Sequence, residues 1–498
     1  MQSLAISRSP KRLFFTLLAI TTLLKLWLAA VIPFTSDEAY FYQWGTHPDW
    51  GGFYDHPPMA GWWLWALQQL SSHPLVLRLP AVLLWIAITF GMLDLMRRMR
   101  PLEENRRWLL GSLFLALPFT WALNLITTDT PLILFLFFSG YAFLRAEREN
   151  DLRWHAAAGV LLGLALLSKY FAGLLAITYA VYLLPRRGGL KPLLVVALCS
   201  LPFMLLNLAW NSTHCWNNIL FNLMNRNQGS HFSLENTGIY VGMMLYLLTP
   251  WTALALFRTG RWRGQWALLS MFVVPFVLFL LLSFYKTIGL HWVLAFLPFA
   301  FLFVAMHQDE SQLARQRRWN LWLGLPHLIA LLAIAYAPTD SFRSLKIHAD
   351  VVMQRDGKAW VAALREDLLP GTVLMATSYS PAAVLSYHGG EHVPVFGTGS
   401  FHARFDDDIT DFKALDGRDI RITSTRRLDA AAYAPYFDRV LVQEKHIDGA
   451  TAWVVDGKGF RFQPYFERVI KPIAAKYYRV PSFLPLYGCQ FLERYGFI

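Results

Sequence analysis

The sequence predicts an α-helical polytopic membrane protein with a small α/β domain at its C-terminus. Of the 498 residues, 55% are hydrophobic and 16% are charged, whereas about 25% are charged in an average soluble domain. Mean hydropathy is +0.35. A soluble protein of this size needs a more polar surface, so the composition favours a chain that lies mostly in a membrane.

The charged residues divide the chain at Pro338. Residues 1–338 hold 25 Lys and Arg and 14 Asp and Glu, whereas residues 339–498 hold 20 and 19. The net charge of +12 therefore belongs almost entirely to the apolar part. We predict a transmembrane module over 1–338 and a soluble domain over 339–498. A basic surplus confined to an apolar region is typical of membrane topology, and we expect no nucleic-acid partner.

Apolar runs long enough to cross a bilayer recur along the first part of the chain. We predict about eleven transmembrane helices, near 12–33, 76–97, 108–124, 130–146, 156–169, 171–184, 191–210, 237–256, 266–283, 288–306 and 319–337. The sixth follows the fifth at once, and the break at Ser168-Lys169-Tyr170 decides whether residues 156–184 cross once or twice.

Basic residues decide this count, because Lys and Arg prefer cytoplasmic loops. Every second loop is basic if residues 156–184 cross twice. The basic groups are Arg8/Lys11/Arg12, Arg97/Arg98/Arg100/Arg106/Arg107, Arg145/Arg148/Arg153, Arg186/Arg187/Lys191, Arg258/Arg261/Arg263 and Arg315/Arg317/Arg318. This predicts a multi-pass protein of the bacterial inner membrane, with a cytoplasmic N-terminus and a periplasmic C-terminal domain.

The C-terminal domain mixes strand-like and helical segments. Residues 372–376 and 439–442 read as strands, and 359–368 as a helix. Cys215 and Cys489 are both predicted outside, where an oxidising compartment permits a disulfide. The sequence leaves open whether they pair.

Carboxylates that face outward lie in the first outer loop, 34–75, and at the start of the fourth span. They include Asp37 and Glu38, then Asp55 beside His56, then Asp129. Helix capping is one interpretation of Asp37, Asp55 and Asp129. The other is proton-transfer chemistry at the membrane surface.

Five cations remain that the topology rule does not explain. One is Lys25, and the other four are predicted at the outer face: Arg78, Lys169, Arg226 in the second long outer loop (211–236), and Lys286. Snorkelling explains any one of them, but all four are predicted at one membrane face. Outward cations near outward carboxylates suit a substrate that carries a phosphate.

These motifs, taken in order, resemble those of a known superfamily. They are Asp37-Glu38-Ala39-Tyr40, Tyr54-Asp55-His56-Pro57-Pro58-Met59, Arg78-Leu79-Pro80, Thr128-Asp129-Thr130-Pro131, Leu167-Ser168-Lys169 and Lys286 with Leu297-Pro298. Over roughly residues 10–310 the chain resembles the GT-C glycosyltransferases of the protein-mannosyltransferase and aminoarabinose-transferase (ArnT-like) superfamily. The resemblance implies a GT-C fold and an inverting transfer of a hexose or pentose from a polyprenyl-phosphate donor at the outer face.

The resemblance also implies roles for individual residues. Asp37 matches the catalytic aspartate of the first loop, as base or metal ligand, and Asp55 matches the second acidic position. Lys169 matches a contact to the donor phosphate. The remaining residues expected to bind substrate are Glu38, His56, Arg78, Asp129, Arg226 and Lys286.

Cofactor, acceptor and function class each keep alternatives. No cofactor is certain, although oxygen ligands such as Asp37 would suit Mg²⁺ or Mn²⁺. The acceptor hydroxyl or phosphate could belong to lipid A, lipopolysaccharide core, another glycolipid or a protein. The rival function is a transporter or flippase for a lipid-linked or anionic substrate, for which intramembrane charges are also expected.

Overall fold

Helices dominate the structure, a computed structural model that describes residues 9–227, 229, 231–258 and 264–498. Arg8, Arg261 and Arg263, which the charge pattern assigns to cytoplasmic loops, lie outside the described residues, as do positions 228 and 230 of the second outer loop. In chain order the α-helices are α1 (Pro10–Val31), α2 (Ser36–Thr46), α3 (Met59–Gln68), α4 (Pro74–Leu77), α5 (Leu79–Met99), α6 (Glu104–Leu115), α7 (Pro118–Ala122), α8 (Asp129–Glu149), α9 (Leu152–Leu166), α10 (Gly173–Leu183), α11 (Leu190–Thr213), α12 (Asn217–Leu223), α13 (Leu234–Leu248), α14 (Pro250–Arg258), α15 (Trp266–Ser283), α16 (Leu297–His307), α17 (Glu310–Tyr336), α18 (His348–Arg355), α19 (Gly357–Arg365), α20 (Tyr379–Gly389), α21 (Asp406–Ile409), α22 (Ala430–Tyr433), α23 (Phe462–Tyr465), α24 (Lys471–Tyr477) and α25 (Gln490–Arg494).

Six helical stretches of the described chain are long and apolar enough to cross a membrane: Pro10–Val31, Pro74–Met99, Asp129–Glu149, Leu190–Thr213, Trp266–Ser283 and Glu310–Tyr336. The bent pair α13 and α14, at 93°, makes a seventh span if it is counted as one. Three shorter apolar helices are Leu152–Leu166, Tyr170–Leu183 and Leu297–His307. Each of the eleven predicted runs holds one of these elements, except 108–124, which holds α6 and α7. The predicted helical membrane fold is confirmed.

The chain breaks between α9 and α10 where the sequence predicts. α9 ends at Leu166, and a short 3-10 turn over Tyr170–Ala172 leads into α10. Lys169 lies between them in an extended conformation, with φ −167° and ψ 142°. Residues 156–184 therefore form two helices and not one.

The described residues divide into two compact units. The first unit takes them from the ranges Met1–Ile32, Ser71–Leu205 and Gly229–Ala335, and the second from Pro33–Leu70, Leu206–Gln228 and Tyr336–Ile498. Most of the two predicted outer loops thus groups with the C-terminal region. The predicted boundary at Pro338 separates a membrane-embedded part of the chain from a soluble part. Because the two compact units are not defined by a membrane, this boundary stays a prediction.

A four-stranded sheet lies in the second unit, with strands β1 (Val373–Ala376), β2 (Ile420–Ser424), β3 (Phe437–Ile447) and β4 (Ala450–Phe460) in the order β1-β2-β4-β3. β1 pairs parallel to β2, with Val373 opposite Ile420. β4 pairs antiparallel to both β2 and β3. The predicted strands coincide with β1 and with part of β3, and the predicted helix coincides with α19, so the α/β domain is confirmed.

The hairpin between β3 and β4 turns on Asp448-Gly449, both with positive φ (46° and 77°). Two successive residues with positive φ are typical of a type I′ turn, whose twist matches that of the flanking strands. The turn sets the long register in which Phe437 lies opposite Phe460.

A disulfide joins Cys215 to Cys489 within the second unit, with Cα atoms 4.7 Å apart and 274 residues between them in sequence. Both cysteines are buried in a core cluster that includes Tyr54, Phe221 and Phe491. The pairing that the sequence left open is therefore present. It ties the second outer loop to the C-terminal segment.

We expect the double variant Cys215→Ser/Cys489→Ser to lower the free energy of unfolding of the second unit by about 2–5 kcal/mol, because the bond closes a long loop. Thermal unfolding of the full-length protein in detergent, with and without reductant, measures the effect. Cys199, the free cysteine of the described chain, supplies the control Cys199→Ser, which should unfold like wild type. An unchanged unfolding temperature in the double variant would contradict a stabilising disulfide.

Candidate active site

Asp37 and Glu38 lie side by side in the first turn of α2 but in different surroundings. Thr35 caps the helix: its Oγ1 accepts from the Glu38 amide at 3.3 Å. Glu38 Oε2 accepts from the Thr35 amide and hydroxyl, each at 3.0 Å. This capping box buries Glu38, whereas Asp37 is exposed. The interpretation of Asp37 as the helix cap is wrong, and its carboxylate faces solvent.

The backbone leading to Asp55 is held by three asparagines from α11 and α12. Trp210 packs so closely that a Cβ at Gly51 would lie 2.3 Å from the Trp210 Cβ. α3 begins at Met59 without a side-chain cap, so the capping interpretation of Asp55 is also wrong. The three bonds are Asn207 Nδ2 to Gly51 O at 2.8 Å, Asn218 Nδ2 to Phe53 O at 2.9 Å and Asn222 Nδ2 to Asp55 O at 3.0 Å.

The Asp55 carboxylate is buried against two imidazoles and a backbone amide. His56 Nδ1 lies 3.4 Å from Asp55 Oδ1, and the Ala403 amide donates to Oδ2 at 3.4 Å. Burial raises the pKa of Asp55, but His56, His402 and the Ala403 amide together outweigh it and hold the pKa below its usual value. Asp55 is therefore ionised throughout the neutral pH range.

Tyr379 and His402, both from the C-terminal region, complete the group. The charge of Asp37 acts on the Tyr379 hydroxyl, and the Tyr379 ring centroid lies 5.1 Å from that of His402. Burial and the charges of Asp37 and Asp55 raise the pKa of Tyr379 to about 12, so the hydroxyl keeps its proton. Burial lowers the pKa of His402, against the opposing effect of both carboxylates. His402 is therefore neutral at neutral pH.

Four residues predicted from the sequence meet around His402. Asp37, Asp55, His56 and Arg226 all act electrostatically on its imidazole. The two aspartates favour its protonation, whereas Arg226 and His56 oppose it. The structure thus brings both predicted catalytic carboxylates and two predicted substrate-binding residues into one group of the second unit.

Sequence reasoning missed Tyr379 and His402, which are more than 300 positions from Asp37. The loop that carries His402 has unusual local features that could have indicated a site. Gly397, Gly399 and Ala403 have positive φ values of 103°, 62° and 55°. The Ser400 hydroxyl lies 2.6 Å from His402 Nδ1 within the same loop. A glycine-rich loop that carries a histidine is a reasonable place to look for a site residue.

We expect His56→Gln to move the acidic limb of the transfer rate to higher pH, because the burial of Asp55 is then less well compensated. Because folding lowers the pKa of Asp55, the ionised carboxylate stabilises the folded protein at pH values above its ordinary pKa of 3.8. This stabilisation is lost as the pH falls through the lower pKa of the folded state. The variant loses activity at a higher pH than wild type. Transfer rates measured across the acidic pH range, each normalised to the maximum of its variant, check this expectation. His446→Gln, which changes an exposed histidine of β3, is the control. Superimposable acidic limbs would contradict the assignment.

A second charged group lies in the first unit, where Asp129 and Lys169 form a buried pair. Lys169 Nζ donates to both carboxylate oxygens, at 2.9 and 3.1 Å. The two side chains are only 8% and 11% exposed. His291 Nε2, half exposed, lies 3.7 Å from Asp129 Oδ2. α8 begins at Asp129 and has no side-chain cap, so the capping interpretation of Asp129 is wrong.

Arg78 and Lys286 are also in the first unit. Arg78 is buried, and one guanidinium nitrogen donates to the backbone oxygens of Ala29 and Ile32, at 3.1 and 2.8 Å. These carbonyls end α1 and have no partner within their own helix. Lys286 is half-buried just beyond α15. Their roles in substrate binding stay predictions.

Metal ligation is the alternative role that the resemblance implies for Asp37. Within the described residues, no group of three or more His, Cys, Asp or Glu side chains is placed to hold a metal ion. Glu38, one of the oxygen ligands considered, uses its carboxylate in the capping box. The donor set does not fit a resident cation, and we derive no chemical step through one.

Comparisons with known proteins agree with the predicted fold. The family described as dolichyl-phosphate-mannose-protein mannosyltransferase matches residues 55–216. The lipid A galacturonosyltransferase RgtD of Rhizobium johnstonii (strain DSM 114642 / LMG 32736 / 3841) is 25% identical over 283 residues, 52% of this chain and 58% of the relative. The chain thus matches little more than half the length of that curated relative.

Two solved structures share the architecture. ArnT from Cupriavidus metallidurans superimposes with a TM-score of 0.61 in its apo state and 0.62 when bound to undecaprenyl phosphate. Each alignment covers 89% of this chain and 97% of that protein, at 13% identity. The fold is therefore shared over nearly the whole length of both proteins.

Proposed function

We propose that this chain is a glycosyltransferase of the ArnT-like GT-C superfamily, which transfers a sugar from a polyprenyl-phosphate donor to an envelope glycolipid with inversion. The observation that carries the proposal is the group around His402. There, the exposed carboxylate of Asp37 and the ionised carboxylate of Asp55 both act on the hydroxyl of Tyr379 and on the imidazole of His402. Such a group can take a proton from an acceptor.

Asp37 acts as the general base. The acceptor oxygen attacks the anomeric carbon, its O–H proton passes to Asp37, and the bond from that carbon to the donor phosphate breaks. Tyr379 keeps its proton, because its pKa is raised to about 12. Asp55 stays ionised and fixes the loop that carries His402 through the Ala403 amide.

The leaving group is a polyprenyl phosphate, which carries negative charge as the bond breaks. Fixed cations stabilise such a charge better than water does. Lys169, held by Asp129, and the half-exposed His291 are the groups of the first unit suited to this task. Undecaprenyl phosphate bound to the structurally similar ArnT supports a donor of this class.

A glycolipid is the acceptor that we propose first. The curated relative is named a lipid A galacturonosyltransferase, which makes lipid A the first acceptor to test and a uronic acid the first sugar. A protein hydroxyl and lipopolysaccharide core follow as alternatives from the sequence.

The protein lies in the bacterial inner membrane, with its N-terminus in the cytoplasm and the group around His402 on the periplasmic side. Two observations support this orientation. Basic residues alternate between loops as cytoplasmic loops require. The Cys215–Cys489 disulfide belongs to the second unit, and stable disulfides are typical of oxidising compartments such as the periplasm.

Purified full-length protein tests the proposal. It is incubated with lipid A and, in separate reactions, with polyprenyl-phosphate-linked galacturonic acid, aminoarabinose or a neutral hexose. Mass spectrometry of the lipid should show the addition of one sugar from one of these donors. Transfer from a nucleotide sugar but from none of the polyprenyl-phosphate donors would overturn the proposed donor class.

A further inference from the structure

A cavity of about 860 Å³ lies in the first unit, away from the Asp129–Lys169 pair. It is lined by residues from the ends of α5, α14 and α16 and the beginning of α17. His307, the last residue of α16, lines it, whereas His291, beside Asp129, precedes the first residue of that helix. The cavity and the charged pair are therefore at opposite ends of α16.

Positive charge is concentrated in this cavity. Its lining includes four arginines, Arg100, Arg106, Arg258 and Arg315, and one carboxylate, Glu103. Glu103 is bound by Arg106, with Nη1 and Oε2 2.8 Å apart. Among the residues that the structure describes, none of the other three arginines has a carboxylate within 4.0 Å. Three positive charges therefore face the cavity without an anion.

A second cavity, of about 750 Å³, provides a comparison within the same unit. It also contains four arginines, but three carboxylates accompany them: Asp94, Glu104 and Glu149. Arg98 contacts Asp94 at 2.6 Å and Glu149 at 3.2 Å. Both cavities belong to the predicted cytoplasmic side, so topology explains arginines in each. Topology does not explain why the first cavity has one carboxylate for four arginines, whereas the second has three.

We propose that the 860 Å³ cavity binds the phosphate group of an anionic membrane lipid. Guanidinium groups bind phosphate through paired hydrogen bonds. Trp251, Leu254, Met306 and Trp319 line the same cavity and offer apolar surface for the glycerol and acyl region. Basic pockets between membrane helices on the cytoplasmic side are a recognised mode of binding such headgroups. The inference does not depend on the proposed transferase activity.

Native mass spectrometry of the full-length protein in a neutral detergent tests the site. The protein is titrated with cardiolipin or phosphatidylglycerol, with phosphatidylcholine as the zwitterionic comparison, and separately with inorganic phosphate or pyrophosphate. Arg258→Gln/Arg315→Gln removes two cavity arginines, and Arg97→Gln/Arg148→Gln removes two from the 750 Å³ cavity. Unfolding temperatures establish that each variant is folded.

We expect the Arg258→Gln/Arg315→Gln variant to bind anionic lipid roughly 30-fold more weakly than wild type, because each basic residue near an anionic headgroup contributes about fivefold. The control variant should bind like wild type. Binding of soluble phosphate with the same dependence on the two arginines would keep the phosphate site and assign it a soluble ligand. Equal weakening in both variants, or equal binding of phosphatidylcholine, would overturn the proposal.

Discussion

Replacing Asp37 with Asn is expected to lower the rate of sugar transfer by about 100- to 10,000-fold, the range typical of a lost general base. Asn keeps the size of the side chain, but it cannot take a proton from the acceptor. Because Asp37 is exposed at the first turn of α2 and Thr35 caps that helix, the fold should be unaffected. Single-turnover transfer to lipid A, measured with saturating donor, reports the chemical step.

A matched Asp→Asn change supplies the control. Asp448 lies in the β3–β4 turn with φ 46°, a position where Asn is as favourable as Asp. Asp448→Asn should therefore retain wild-type transfer and wild-type unfolding. If Asp37→Asn folds normally and transfers sugar at an undiminished rate, the role of Asp37 as base is excluded.

Replacing Lys169 with Met is expected to destabilise the first unit by about 3–5 kcal/mol, because it leaves the Asp129 carboxylate buried without its cation. The pair is held by two hydrogen bonds, at 2.9 and 3.1 Å, with little solvent to compensate their loss. The same change should raise the KM for the polyprenyl-phosphate donor. Thermal unfolding in detergent and donor titration measure the two effects separately.

The double variant Asp129→Leu/Lys169→Met separates stability from binding. Removing both charges should restore much of the lost stability, since no buried charge is left unpaired. Donor binding should stay weak, because the cation is still absent. Lys471→Met serves as control, since it breaks an exposed pair with Glu467 that contributes about 0–1 kcal/mol. A double variant with wild-type KM for the donor would contradict a phosphate role for Lys169.

Helix register alone does not distinguish the paired acids at 37 and 38, but the cap of the helix does. Adjacent residues of a helix point in different directions, and either one could have faced the site. The choice depends on where α2 begins. Thr35 supplies the cap and draws Glu38 back onto it, which leaves Asp37 exposed. A capping box is visible in Thr35-Ser36-Asp37-Glu38, so this part of the site could have been predicted.

Arg78 shows the opposite case. A buried cation at the start of a span suggests a substrate contact when only its neighbours in sequence are considered. The structure shows that its guanidinium donates to the carbonyls that end α1, more than 45 residues earlier. Nothing near Arg78 in sequence identifies those acceptors.

Local properties of the chain were enough to predict the helical membrane architecture, the break at Lys169 and the α/β nature of the C-terminal domain. Hydrophobic run length and charge act over a few tens of residues, so they can be read along the sequence. Which polar groups meet was decided by tertiary packing. Tyr379 comes within the electrostatic influence of Asp37, and Cys489 pairs with Cys215. Contacts between such distant segments depend on how the whole unit buries its apolar surface, and no local pattern carries that information.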